Sequence, residues 1–278
     1  MNGHDQIRLV LAGNAGPALL PYLTAGLPHP RSSVDLFVAM AEAGADAFEV
    51  GVPYSDPLMD GPVIMAGGEA ALAAGTTRAV ALDIVQQVVA RTGKPVLAMT
   101  YANPVMQRGW SAYAGDVAAA GGAGIIVPDL PIEESEPLRA ACEERGIGLV
   151  QFVSPTTPTH RMEKVVAVNP AFIYGVADMG VTGERTEGSP HARALSERIR
   201  ALTDIPLVFG VGISTTEQAA AVAALADGVI IGTAIVRRVL ESPDVGAAAS
   251  SLRDVVGRFK AAMADGRKSN GHRQRPSS

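Results

Sequence analysis

Cysteine is almost absent from this chain. Cys142 stands alone, which excludes an internal disulfide and fits a reducing compartment. Lysine is scarce too. Lys94 falls just before an apolar run, and Lys164, Lys260 and Lys268 fall in helical or tail segments, so none is placed for Schiff-base chemistry. The five histidines, at 4, 29, 160, 191 and 272, form no pair at metal-ligand spacing, which leaves a metal-dependent enolate mechanism unsupported. No GxGxxG follows the first apolar run, so a dinucleotide is not indicated. A net charge of −5 gives no sign of a nucleic-acid surface. No uninterrupted apolar stretch reaches the roughly 18 residues of a membrane span. Asp5 and Arg8 precede only a short apolar run, 9–12, which is no signal peptide. The expectation is a soluble cytoplasmic protein, acting on neither nucleic acid nor membrane.

What is present is a repeat of apolar, β-branched runs, each followed by an amphipathic segment. The runs are 18–25, 47–53, 95–101, 124–129, 148–153, 172–177, 206–212 and 228–233. Continuous rather than alternating hydrophobicity predicts strands covered on both faces, as in parallel sheets. Helical patterns such as 32–45 and 133–146 lie between them, with Ser32 and Glu133 near the starts and Gly44 and Gly146 near the ends. Eight such units without a linker-like break predict an α/β fold, a single-domain (β/α)8 barrel over residues 1–265, with a doubly wound sheet as the runner-up. The 278-residue length suits one barrel of about 250 residues. The polar, basic tail 266–278 is expected to be disordered.

In such a barrel the chemistry sits at the carboxyl ends of the strands. Three glycine-rich stretches fall there: GVTG at 180–183, GVG at 210–212 and GTA at 232–234, the last just ahead of a helical pattern. Glycine lets backbone N–H groups approach a ligand, and a helix amino terminus favours an anion. One such loop is an ordinary turn; three on the last three strands predict a phosphate site.

Near the end of the second run stands Glu49, and eleven residues on, in a loop of turn formers, stands Asp60. A buried carboxylate without a partner raises its pKa and becomes an acid and base near neutrality. Asp60 in DGP and Asp56 in SDP read from the residues alone as turn aspartates. A phosphate anchor with two carboxylates can move protons; if it breaks a carbon–carbon bond, the electron sink must lie in the substrate.

The stretch EVGVPYSDPLMDGP at 49–62 resembles the signature of the tryptophan synthase α subunit family. The resemblance continues through LPYLTAGLP (20–28), TYANPV (100–105), IIVPDLPIEES (125–135), MGVTG (179–183) and GVGISTTEQ (210–218), covering the chain from about residue 17 to 240 in the family's order. It implies a lyase of tryptophan biosynthesis that cleaves indole-3-glycerol phosphate to indole and glyceraldehyde 3-phosphate by a retro-aldol step. No cofactor is implied in this chain.

By that resemblance Glu49 is the central acid and base, and Asp60 accepts the indole N–H. Gly183, Gly212, Gly232 and Thr233 match the phosphate-binding positions. Tyr22, Tyr101 and Tyr174 match the substrate pocket, and Thr182 the loop threonine that contacts the aspartate on closure. Pro53 and Asp56 match the loop that faces the partner, a pyridoxal-phosphate β subunit with which the family forms an α2β2 heterotetramer. The resemblance thus overrides the turn reading of Asp56. The sequence departs from the family at Ala177 and Asp178, where serine and arginine are frequent, and at Val211, phenylalanine in some members. Those departures keep open a stand-alone lyase releasing free indole; a second alternative, a catalytically silent phosphate-binding barrel that regulates a partner, is opposed by the presence of Glu49 and Asp60.

Overall fold

The computed structural model describes residues 1–13, 16–176, 190–210 and 212–269. Each predicted run forms a strand: β1 Ala18–Thr24, β2 Phe48–Gly51, β3 Val96–Met99, β4 Gly124–Ile126, β5 Gly148–Leu149, β6 Gln151–Val153, β7 Ile173–Gly175, β8 Leu207–Phe209 and β9 Gly228–Ile231. All the ladders are parallel, in the order β5-β4-β3-β2-β1-β9-β8-β7-β6. The two ends of that order are halves of one run, interrupted at Val150. The first half pairs with β4, and the Val150 N–H continues this by donating to the Ile125 carbonyl at 3.1 Å; the second half pairs with β7. The ring therefore closes through the chain itself. This is the (β/α)8 barrel, and a doubly wound sheet, which would expose two edges, is excluded.

The helices are α1 Gly3–Leu11, α2 Pro30–Glu42, α3 Pro62–Ala73, α4 Arg78–Thr92, α5 Ala102–Arg108, α6 Trp110–Ala119, α7 Glu136–Glu144, α8 Thr159–Ala167, α9 Pro190–Arg200, α10 Thr216–Ala223, α11 Thr233–Glu241 and α12 Val245–Ser269. They cover the outside of the ring while strand side chains fill the inside, which is why all seven residues of β1 are buried.

Two helix boundaries differ from the sequence expectation, for local reasons. α2 starts at Pro30 rather than Ser32, because His29 Nδ1 caps the Arg31 amide at 3.2 Å and proline suits the first helical position. The pattern at 133–146 splits into a 3-10 turn, Ile132–Glu134, and α7. Pro137 has no N–H to bond back to residue 133, so one continuous ladder cannot form.

α1 escaped the sequence reading. It lies across the amino-terminal end of the barrel: Ile7 packs against Gly124 and Gly148 at the starts of β4 and β5, and Leu11 packs against Gly228 at the start of β9. The carboxyl end of the barrel is left as the mouth. α12 continues to Ser269, four residues into the tail expected to be irregular, and 270–278 lie outside the described residues.

Candidate active site

β1 and β2 run side by side with Tyr22 opposite Glu49 and Thr24 opposite Gly51. Glu49, the second residue of β2, is 4 % exposed. Burial, and then the charge of Asp60, raise its carboxyl from an ordinary 4.5 to about 8. Glu49 thus has the property a proton shuttle needs near neutrality, and its location in a closed ring dictates that property.

Asp60 sits in the loop that follows β2, immediately ahead of α3, whose amino-terminal residues are Gly61 and Pro62. The loop is held by its own backbone: the Leu58 N–H donates to the Asp56 carbonyl at 2.9 Å and the Asp60 N–H to that of Pro57 at 3.0 Å. Tyr101, at the end of β3, ties the loop to the barrel. Its hydroxyl accepts the Met59 N–H at 3.3 Å and hydrogen-bonds the Asp60 carboxyl. Burial raises the Asp60 pKa, and the Tyr101 hydroxyl opposes that rise. The tyrosine ring in turn lies against Tyr54, 5.6 Å between centroids, and Tyr54 accepts from the Asn103 amide at 2.9 Å.

Tyr174 rises from β7 into the same space. Its phenol is fully buried, and its pKa is raised by burial and by the charge of Glu49. The ring stacks on Phe152 at 4.8 Å and passes so close to Gly210 that a Cβ there would meet its hydroxyl at 1.9 Å. The two carboxylates and the three predicted pocket tyrosines, drawn from β1, β2, β3 and β7, are therefore one electrostatic cluster at the mouth.

The predicted phosphate residues lie on the adjoining rim. β8 and β9 are paired, so the segments that follow them are neighbours. Gly212 follows β8 with φ of 78°, a left-handed conformation that favours glycine. Gly232 follows β9 and caps α11. Its carbonyl accepts the N–H groups of Ile235 and Val236, both at 2.9 Å, so the helix ladder begins at residue 235 and leaves the Thr233 and Ala234 amides ahead of it. A Cβ on Gly232 would stand 3.5 Å from Tyr22, which joins this helix terminus to the tyrosine cluster. Thr182, Gly183, Ala177, Asp178 and Val211 lie outside the described residues.

Pro53, half-buried, and Asp56 lie in the same loop as Asp60. Asp56 is exposed and accepts from Ser55 Oγ at 2.7 Å. Among the described residues there is no grouping of three or more metal-ligating side chains. Lys94 precedes β3 at the closed end, Lys164 is in α8, and Lys260, in α12, pairs with Asp46. A separate cavity of about 450 Å³, lined by His4, Arg139, Cys142 and Gln151 among others, also belongs to the closed end and holds neither carboxylate. Burial pushes the Cys142 thiol there up to about 12, which makes it a poor nucleophile.

Sequence reasoning missed Thr24, Gly51 and Phe152. Gly51 carried a usable signal, since a glycine two residues beyond a strand glutamate leaves a gap on the same face of the pleat. Thr24 and Phe152 carried none.

The comparisons with known proteins agree with the barrel fold. The sequence profile described as Tryptophan synthase alpha chain matches residues 11–264. The tryptophan synthase alpha chain of Thermobifida fusca is 46 % identical over 252 residues, covering 90 % of this chain and 92 % of that protein. The tryptophan synthase structure from M. tuberculosis in its aminoacrylate-bound form superposes with a TM-score of 0.82 at 36 % identity, covering 93 % of this chain and 99 % of that one. The tryptophan synthase subunit alpha of Legionella pneumophila superposes with a TM-score of 0.85 at 32 % identity, covering 95 % and 99 %. On sequence and on fold alike, the chain belongs to the tryptophan synthase alpha chain family.

Proposed function

We propose that this chain cleaves indole-3-glycerol phosphate with Glu49 as the proton shuttle and Asp60 as the group that holds the indole nitrogen. The observation that carries the reading is the pairing itself: a carboxyl held protonated near neutrality by burial and by a second, ionised carboxylate beside it. The family is a carbon–carbon lyase, and its chemistry needs a proton delivered to one carbon of the substrate and a proton removed from the hydroxyl oxygen on the carbon next to it.

Glu49 delivers its proton to indole C3. The ring nitrogen becomes iminium-like, and the ionised Asp60 accepts its N–H and offsets the positive charge. Glu49, now a carboxylate, takes the proton from the hydroxyl on the glycerol carbon attached to C3. The carbon–carbon bond breaks, its electron pair restores the indole ring, the carbinol becomes the aldehyde, and Glu49 regains its proton. The heteroaromatic ring is the electron sink, so neither a Schiff base nor a metal is required of the protein. The Thr233 and Ala234 amides at the start of α11, with Gly212 and Gly183, hold the phosphate. Tyr22, Tyr101 and Tyr174 wall the ring, and Thr182 is the residue assigned by the resemblance to contact Asp60.

The partner is a pyridoxal-phosphate β chain in an α2β2 assembly, docked on the loop that carries Pro53 and Asp56. Supporting this is the exposure of Leu58, at 86 %, and Met59, at 63 %, in that loop. Large apolar side chains gathered at a rim are characteristic of protein contacts. The cytoplasm is the proposed location; no helix among the described residues is long and apolar enough to cross a membrane.

The test is a spectrophotometric indole assay on the purified protein, with and without a β chain. Glu49→Gln and Asp60→Asn should each lose indole formation by roughly 10²- to 10⁴-fold while keeping the far-ultraviolet dichroism of the parent. Parent-like turnover in either variant defeats the reading. Added β chain should raise the rate and comigrate on a sizing column; no change in both favours an enzyme that works alone.

A further inference from the structure

We infer that Tyr22 and Thr24 form a two-hydroxyl bridge on the mouth side of Glu49, and that this bridge positions the two carboxylates for proton transfer. The inference deepens the reading above and rests on it.

The geometry begins with register. Tyr22 and Thr24 project from the same face of β1, with Glu49 and Gly51 as their neighbours on β2. Residue 51 has no side chain, and the Tyr22 ring leans across into the column it leaves empty. A Cβ at position 51 would stand 2.2 Å from the Tyr22 hydroxyl oxygen and 2.6 Å from Cζ. The phenol oxygen therefore lies one pleat step above Glu49, toward the loop that carries Asp60. There it is 3.2 Å from Thr24 Oγ1, a contact in which either oxygen can be the donor.

That ambiguity is the useful property. Each hydroxyl has one proton and accepting lone pairs. When Thr24 donates to Tyr22, the phenol proton is free to donate to a carboxylate. When Tyr22 donates to Thr24, the phenol oxygen is free to accept from a protonated carboxyl. Rotation about two C–O bonds exchanges these states, and neither hydroxyl ionises. The pair can thus follow Glu49 as it loses and regains its proton.

The surroundings give the bridge this task. The ionisable groups around Tyr22 and Glu49 are Asp60 from the loop after β2, Tyr101 from the end of β3 and Tyr174 from β7. These are carboxylates and phenols, so a charge on Glu49 is met by hydroxyl dipoles. Burial and the charges of Asp60 and Glu49 push the Tyr22 phenol upward, which keeps its proton in place throughout the working range. A tyrosine that only packed would need its ring and not its oxygen.

The experiment is the pH profile of indole formation for the parent, Tyr22→Phe and Thr24→Val, with Thr24→Ser as the restoring variant. Phenylalanine keeps the ring and valine keeps the volume, so both variants should fold, and circular dichroism at each pH checks this. Loss of the hydroxyl dipoles that face the carboxylates should move the limbs of the profile upward by roughly one pH unit in both variants, with Thr24→Ser returning to the parent. KM should change by less than about twofold, because the ring still walls the pocket. Superimposable profiles for Tyr22→Phe and the parent overturn the inference, and a shift in Tyr22→Phe without one in Thr24→Val overturns the bridge. A parent that makes no indole at any pH overturns the underlying reading instead.

Discussion

Asp60 lies close enough to Glu49 for its charge to oppose the ionisation of that second carboxyl, and burial first, with this charge second, raises Glu49 to about 8. Burial raises both carboxyls, and the Tyr101 hydroxyl opposes the rise at Asp60 alone. In the proposed mechanism Glu49 acts as the acid and Asp60 stabilises the cation. In the free enzyme, kcat/KM should fall as pH rises through about 8, where Glu49 loses the proton it must deliver. Replacing Asp60 by Asn removes the opposing charge, so the Glu49 titration should move down. Carbon NMR of labelled glutamate reads that titration directly, and an unmoved or raised value would contradict the coupling.

Glu49 also makes stability depend on pH. Its folded pKa is raised above the unfolded value, so the favourable contribution is complete below about 4.5 and is lost as pH rises through about 8. Glu49→Gln abolishes the loss. Urea denaturation should find the variant more stable than the parent at pH 9, by an amount of order a few kcal/mol, and near parity at pH 4.5. Equal differences at the two pH values would show that Glu49 does not ionise against its surroundings.

Tyr101 joins the Asp60 loop to the end of β3 through the Met59 N–H and the Asp60 carboxyl. Tyr101→Phe removes both contacts. Since the hydroxyl lowers the Asp60 pKa, its removal should raise it, and the acid limb of the activity profile should move upward with it. Because the phenylalanine still lies against Tyr54, the loss of stability should be limited to that of the two hydrogen bonds, about 2 kcal/mol by urea denaturation. An acid limb that stays in place while activity falls would mean that Tyr101 acts on the substrate and not on Asp60.

Gly210 and Tyr174 are bound by shape. A Cβ at 210 would stand 1.9 Å from the tyrosine hydroxyl and 2.4 Å from Cζ, closer than real atoms approach. Gly210→Ala should displace the ring from its stack on Phe152, at a cost of roughly 1–3 kcal/mol and with loss of activity. Adding Tyr174→Ala to Gly210→Ala should cost less than the sum of the single changes, since the clash is gone. A double-mutant cycle by urea denaturation measures this, and simple additivity would refute the steric account.

Much of the barrel was readable because its signal is local and repeated. Every predicted apolar run became a strand, since a strand buried on both faces must be apolar along its length. What escaped was set by single atoms. The amide missing at Pro137 divides one expected helix into a 3-10 turn and α7. The His29 cap moves the start of α2 to Pro30. α1 has too little chain to stand out as a barrel unit, yet Ile7 and Leu11 place it across the closed end. At the site, Glu49 was legible as a charge inside a strand. Asp60 and Asp56, read from the residues alone, were two aspartates in turns and nothing told them apart. In the structure Asp60 meets Tyr101 and the tyrosine cluster, while Asp56 faces outward beside Ser55.

The sequence by itself determined the periodic alternation of runs and helices, the poverty in lysine, histidine and cysteine that narrows the chemistry, and the motif around Glu49. These are properties of composition and of short spacing, and hydrophobic periodicity expresses them without reference to distant residues. Only the tertiary structure decided that Tyr22 leans over Gly51 and that Tyr174 leans over Gly210. It alone decided that Glu49 is buried beside Asp60 and that Asp60 meets the Tyr101 hydroxyl. The physical reason is that a pKa and a close contact depend on what surrounds an atom in space. Closure of the ring brings β1, β2, β3 and β7 to one mouth from positions as much as 152 residues apart, as with Tyr22 and Tyr174.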